Sequence, residues 1–583
     1  MSNQDLSLSL SDSTSAVKDA ATLNTTYSEG DGSSQSNEKE RPRPFWHTRI
    51  IEGGMILSLA LYYCVGNPNM HISSWQLPWQ NLNTLYSLPF LLVFAVLCWY
   101  RFPMAIALLP LSLPYYYIQK NVTPSLRFSL VEIMLYTCLA VGLLQYTVCT
   151  IRRKRWPYQL SWSALRERFG PFLWPVIIFL LAALISIMIA YSRNNAARAF
   201  REEVFGPLLY LVLAFSCLRT RQDVTRLLLA LLGSGFIIAL LGCIQYFLFK
   251  HTIMADINGA QRITTVYGSG NNIGTFFDYT FPIGLALLLS RLSWKWRLAV
   301  LIGGIPFLLT LYQSGSRGAL VLGMPAALLF ITAFAIRNRR TLLIASSTFI
   351  LIVALIGGLF APKIVSSMLN GHTGSQGQST ILERPWLWLT ALNMLHDSPW
   401  LGYGMDNWLC HYSNSWYNKC LYPNGFPDGK WIPGQPPHPP LSAYWITVNP
   451  ATGQPTGLSD EPQLSHPHNI FLHVWVSIGI LGLLAFIAVI VLFYWTFIRL
   501  LRYLTLIRPP AYELLRWLLI SIGGAMLAAL VHGQGDSAFL EQDLAFCFWI
   551  LIAALLLVRA IVGMPWSFLF YKMGEPPLSA SRI

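Results

Sequence analysis

The chain has 583 residues, of which 54% are hydrophobic and only 11% charged, with a mean hydropathy of +0.48. Soluble domains carry about 25% charge, so these figures exclude a large globular protein and indicate a polytopic membrane protein. The formal charge of +14 does not point to nucleic acid. The basic residues stand in short runs between apolar spans, such as Arg152-Arg153-Lys154-Arg155 and Arg337-Asn338-Arg339-Arg340, which is the pattern of cytoplasmic loops.

In chain order, residues 1–48 are rich in Ser, Asn, Asp and Glu and lack an apolar run, which predicts a disordered cytoplasmic tail. No cleavable signal peptide is expected, because the first apolar span begins only near Ile51. Apolar spans follow near 51–65, 86–100, 103–117, 129–150, 171–190, 206–218, 227–249, 277–292, 298–313, 318–336, 341–361, 469–498, 514–531 and 544–562. They predict an all-α polytopic fold with 12 to 14 transmembrane helices. Residues 49–361 form the first helix bundle with its outer loops, 362–468 a large outer loop, 469–565 the C-terminal helices and 566–583 a second cytoplasmic tail. Most of the 40 Lys and Arg fall on the side of the N-terminal tail, which places both termini in the cytoplasm and the 362–468 loop outside. Most of the nine cysteines lie in apolar spans and pack as small hydrophobes. Cys410 and Cys420 share the outer loop, where export would permit a disulfide between them.

The outer basic residues run against the orientation rule. They include Arg193, Arg198, Arg201, Arg262, Arg317 and Arg384, each beside an apolar span. The planar guanidinium suits bidentate contact with phosphate oxygens, and Arg198 and Arg201 are spaced for one helical face. Snorkelling, or pairing with Glu202, Glu203 or Glu383, is the alternative for each of them. At His466-Pro467-His468-Asn469 the long polar loop meets an apolar helix that runs to about Phe497. An imidazole at such a boundary titrates near neutral pH and can take a proton from a hydroxyl. His468 is the expected base, held by the first turn of the helix. His466 precedes a proline, which favours an extended backbone and leaves its ring in the loop. Asn469 would orient the imidazole or a substrate hydroxyl, and Gly479 and Gly482, one turn apart, would let neighbouring helices approach. His438, His466 and His468 could coordinate zinc, but no HExxH, Cys-x-x-Cys or Asp-x-Asp accompanies them, so a metal-free site is expected. Beyond the polar tail there is also no G-x-S-x-G elbow or Ser-x-x-Lys pair for serine chemistry.

The order His468-Asn469, nine residues, Gly479-x-x-Gly482 resembles the signature of the O-antigen ligase and Wzy-type polymerase superfamily of membrane glycosyltransferases. Four further stretches are similar to its elements: Ala197 to Glu202 with Pro207 to Tyr210; Arg262 followed by Gly268, Asn271-Asn272 and Gly274; Ser314 to Gly318; and Arg384 to Leu392 with Asp397 to Gly404. His532-Gly533…Asp536 is a weaker match. The resemblance covers about 190–540 and implies a glycosyltransferase-C-like fold with its active site on the periplasmic face of the inner membrane. It implies an oligosaccharide donor on undecaprenyl pyrophosphate, an acceptor hydroxyl on lipid A core or another glycan, and inversion at the transferred carbon. His468 and Arg384 would be catalytic; Arg198, Arg201, Arg262, Asn272, Arg317, Asn469 and Asp536 would bind substrate, with no metal and no cofactor. The partners would be these substrates and membrane lipid, not nucleic acid. Ligase, polymerase and protein-directed transferase stay open. The rival is a multispan exporter of an anionic saccharide, which should place charges at mid-membrane depth; Glu132 is one of few such charges.

Overall fold

A computed structural model describes residues 45–68, 78–123, 126–158, 161–250, 253, 262–336, 340, 380–412 and 465–570. The span expected at 341–361, Cys420, His438 and most of the large loop lie outside the described residues, as does nearly all of the N-terminal tail. The chain divides into two units, Met1–Ile51 and Glu52–Ile583. The first contributes the opening turns of helix Phe45–Cys64, so helix already begins within the stretch expected to be tail. The second holds everything that follows.

Among the described residues, eight helices are long and apolar enough to cross a membrane. They are α1 Leu130–Ile151, α2 Trp162–Ile189, α3 Arg221–Leu248, α4 Gly270–Leu289, α5 Trp294–Ser314, α6 Ile470–Ile507, α7 Tyr512–His532 and α8 Gln542–Ile561. The architecture is an all-α polytopic membrane protein. The spans expected at 86–100 and 103–117 form one pair, Thr84–Tyr100 and Phe102–Tyr115, bent by 119°. The chain leaves helical geometry at Arg101 (φ −137°, ψ 60°), and Pro103 starts the second helix. Counting that pair as one broken span gives nine. The stretches at 206–218 and 318–336 are shorter helices, Gly206–Cys217 and Ala319–Ala335.

The starts of the long helices follow from local chemistry. At α1 the Ser129 hydroxyl caps the Glu132 N–H, while the Glu132 carboxylate accepts from the Ser129 N–H, a reciprocal capping box. Glu132 therefore sits in the first turn of α1, not at mid-membrane depth as expected. Burial then orders the bundle: 89% of the apolar window of α8 is buried, 78% of α7 and 72% of α4, against 22% of α5 and 33% of α1. The last two helices and α4 make the centre; α1 and α5 are the rim. Lipid tails give helices little hydrophobic reason to associate, so close backbone approach does the work. Gly235 of α3 lies against Thr280 of α4, and Gly242 against Thr310 of α5, whose hydroxyl donates to Ala239 O at 2.7 Å.

The up-and-down order gives the bundle two unlike ends. The starts of α1, α4, α6 and α8 meet the ends of α2, α3, α5 and α7 at one end. The basic runs after α1, between α4 and α5, and between α6 and α7 gather at the other. A turn at 398–404 joins the first end to α6, which breaks at Gly479 (φ 74°, ψ −179°). Into the break fits the backbone of Trp400 and Gly402: Tyr403 N–H donates to Val476 O at 2.7 Å and Ile480 N–H to Trp400 O at 3.2 Å. The Trp475 indole donates to Pro399 O at 2.8 Å. A side chain at Gly479 would meet Trp400 O at 2.2 Å. The expected role of the glycine pair is thus corrected. Gly479 admits a turn into a broken helix, and Gly482 packs on Ile478 of its own helix.

Candidate active site

The start of α6 is built by Asn469. Its carboxamide oxygen accepts from the N–H groups of Phe471 and Leu472 at 3.0 and 3.1 Å, satisfying donors that a helix start leaves open. Its amide donates to Gln534 O at 3.3 Å, and Ile470 N–H donates to Gly533 O at 2.6 Å. These two bonds draw the loop after α7 against the loop before α6. His468, one residue before the cap and outside the first turn, takes a left-handed backbone (φ 51°), a conformation that costs a side-chain-bearing residue about 1–3 kcal/mol.

That geometry sets His468 against Asp536. Nδ1 lies 2.7 Å from Asp536 Oδ1, with the two side chains 10% and 8% exposed. The same oxygen accepts from Ser537 N–H at 2.8 Å, so the adjacent backbone fixes it in place. A carboxylate at Nδ1 keeps the proton there and leaves the lone pair on Nε2. His466 is not out in the loop, as its proline had suggested. Its ring packs against His468, with centroids 4.2 Å apart, and stacks on His473 at 5.2 Å. Its Nδ1 accepts from His468 N–H at 3.3 Å, which helps hold the left-handed backbone. Burial first, and the nearby Arg384 charge after it, pull the His466 imidazole down to about 4, so it is neutral near neutral pH and a weak base.

Several neighbours, among them Glu541, His473 and the Asp278 partner of His532, could not be read from the sequence. Glu541, at the start of α8, accepts from Tyr116 OH at 3.1 Å and Asn272 Nδ2 at 3.3 Å, and lies 3.9 Å from His466 Nε2. Burial, then Asp543 and Asp536, push its carboxyl up to about 8. His473 Nδ1 lies 2.6 Å from the Ser537 hydroxyl, and His532 Nδ1 lies 2.5 Å from Asp278 Oδ2. A lone carboxylate such as Asp278 within an apolar span was the one available signal.

The candidate arginines divide. Arg198 pairs with Asp406 at 2.6 Å, and Arg201 with Glu132 at 2.9 Å and Glu202 at 2.6 Å. The pairing alternative thus describes both, and their partners differ. Arg262 donates to Ser314 O at 2.7 Å and Asn271 Oδ1 at 2.6 Å, tying the start of α4 to the end of α5. Arg317 is exposed on the corner after α5. Arg384 is half-buried on helix Thr380–Asp397, whose Leu387, Ala391 and Met394 pack with Trp408, Tyr412 and Val476. Trp388 of that helix reaches His468 O at 3.5 Å. Asn272 and Asn469 spend hydrogen bonds within the protein, and Asp536 serves His468 directly. His466, His468 and Asp536 each bring one ligand atom within 4.8 Å of the others, close enough to hold a cation. Such an ion would compete with Asp536 for His468 if it took Nδ1. Cys410 is disulfide-bonded.

A protein-family model described as O-antigen ligase matches residues 298–487, about a third of the chain. The matched stretch holds Arg317, Arg384, His466, His468, Asn469, Gly479 and Gly482; Arg198, Arg201, Arg262, Asn272 and Asp536 lie outside it. No curated protein matches the chain. The match supports the O-antigen ligase and polymerase superfamily, and with it a glycosyltransferase function of that general type in a multi-pass membrane protein.

Proposed function

We propose that the chain is a metal-independent, inverting glycosyltransferase that moves a glycan from undecaprenyl pyrophosphate to an acceptor hydroxyl at the outer face of the inner membrane. The observation that carries this reading is the His468–Asp536 pair, set at the end of the bundle opposite the basic turns. The acceptor hydroxyl would face His468 Nε2. Its oxygen bonds to the anomeric carbon, its proton passes to Nε2, and the bond from that carbon to the pyrophosphate oxygen breaks. One displacement inverts the centre. Asp536 stabilises the imidazolium as it forms. The departing pyrophosphate needs cations, and the candidates are Arg317, exposed on its corner, and Arg384, whose charge reaches His466 beside His468. The acceptor is lipid A core in a ligase or a second glycan in a polymerase.

The test is a transfer assay with purified protein, lipid-linked oligosaccharide and either acceptor. Formation of a glycosidic bond with release of undecaprenyl pyrophosphate, unchanged by EDTA, is the expected result. Loss of transfer in EDTA with recovery on adding a divalent metal would overturn the metal-free scheme. Saccharide movement across vesicles without bond formation would favour an exporter.

A further inference from the structure

A second imidazole–carboxylate pair lies deeper than the first and has no part in the displacement above. His532, at the end of α7, and Asp278, two turns into α4, have side chains 3% and 0% exposed. Both are buried more deeply than His468 and Asp536. What closes over them is the corner that carries Arg317. A side-chain carbon on Gly318 would come within 2.1 Å of His532 Nε2, and one on Gly323 within 2.0 Å of Asp278 Oδ1. Two glycines five residues apart therefore rest on the pair, one against each partner. Between them, Ala319–Gly323 forms a single π turn, closed by Met324 N–H donating to Ala319 O. Insertions of this kind cost helix stability and are found mostly where function keeps them. Asp278 Oδ1 makes no hydrogen bond among the described residues although it is buried, a second cost that packing alone does not explain.

We propose that His532 and Asp278 are positioning residues: they form a rigid seat that fixes the Ser316–Gly323 corner and so aims Arg317 at the donor's phosphate groups. The proposal rests on the reading of Arg317 as a donor-binding residue. A guanidinium on an exposed corner loses its bidentate geometry with a small tilt of the backbone beneath it. The hydrogen-bonded pair, wedged under both ends of the π turn, resists that tilt. It is also the reason positions 318 and 323 admit no side chain.

The experiment measures KM for the lipid-linked donor and kcat in purified full-length Arg317→Ala, His532→Gln and the double variant, with thermal unfolding as a control. The seat requires His532→Gln to raise donor KM about 10- to 100-fold, the scale of a misplacement of about 1 Å, with kcat much less affected. The double variant should then be no worse than Arg317→Ala alone, because both changes remove the same interaction. Multiplying effects, or a fall in kcat at unchanged KM, would overturn the seat and leave the donor reading of Arg317 standing. An Arg317→Ala protein with ordinary donor KM would overturn that reading and the seat with it. If His532→Gln does not fold, Asp278→Asn, equal in volume, takes its place in the same cycle.

Discussion

At His468 the carboxylate on Nδ1 decides which nitrogen can act, and this separates two imidazoles only two residues apart. Removing a general base typically costs 10²–10⁴-fold in rate. His468→Ala should therefore bind donor and transfer almost nothing, while His466→Ala should keep much of its activity, since a neutral imidazole held near 4 contributes packing rather than basicity. Asp536→Asn should fall near His468→Ala, because an amide no longer favours the imidazolium. Near-normal transfer by His468→Ala in the purified assay would sink the scheme. Glu541 makes a separate prediction about pH. Its carboxyl is held near 8 in the folded protein against an ordinary 4.5, so between those values the folded state keeps a proton that the unfolded state has lost. The stability it confers is full below about 4.5 and is lost as pH rises to about 8. Above that point a new negative charge appears near Asp536, where the proposed scheme brings an anionic donor. Transfer should decline on the alkaline side, and Glu541→Gln should remove that limb of the profile; an unchanged profile would exclude Glu541. His468 could be singled out in the sequence because it, Asn469 and the glycines are close neighbours along the chain. Asp536, Glu541 and Asp278 were not assigned these roles because their partners lie 68, 75 and 254 positions away.

At the scale of elements, the spacing to Gly479 could be read but its reason could not. A helical period cannot show that the helix stops, or that the turn at Trp400–Gly402 enters the gap. Gly479→Ala meets two obstacles, a left-handed backbone and the Trp400 carbonyl at 2.2 Å. It should cost about 1–3 kcal/mol, seen as a lower unfolding temperature, and should reduce transfer by shifting the segment that carries His468. Gly482→Ala meets the Ile478 side chain and no backbone atom among its nearest neighbours, and should be the milder change. Equal effects from the two would argue against the clamp. The same limit explains the helix count. Apolar composition predicts spans well but does not reveal the 119° bend at Arg101, which makes one broken element of two expected ones.

At the scale of the molecule, α6 after its break at Gly479 runs from Ile480 to Ile507, 28 residues, about 42 Å of helix, beyond the roughly 30 Å hydrocarbon core. A helix of that length and hydropathy is expected to carry its two ends to different compartments. In a cysteine-depleted background, Trp400→Cys should react with an impermeant maleimide in intact cells, and Arg508→Cys only after permeabilisation; the reverse pattern would place the site in the cytoplasm. That the two ends differ was legible because charge marks one of them, whereas which helices form the centre was not, since rim and centre are equally apolar. The distance between His468 and Asp536 along the chain also has a consequence for synthesis. Two complete spans, α6 and α7, separate the base from its carboxylate, and at about 5–20 residues per second a ribosome needs roughly 3–14 s to cover the gap. Throughout that interval a chain already threaded into the bilayer carries its imidazole without the carboxylate. On the proposed scheme competence arrives only with the loop between α7 and α8, so a nascent or stalled chain ending before Asp536 should insert without spending lipid-linked sugar on a half-built site.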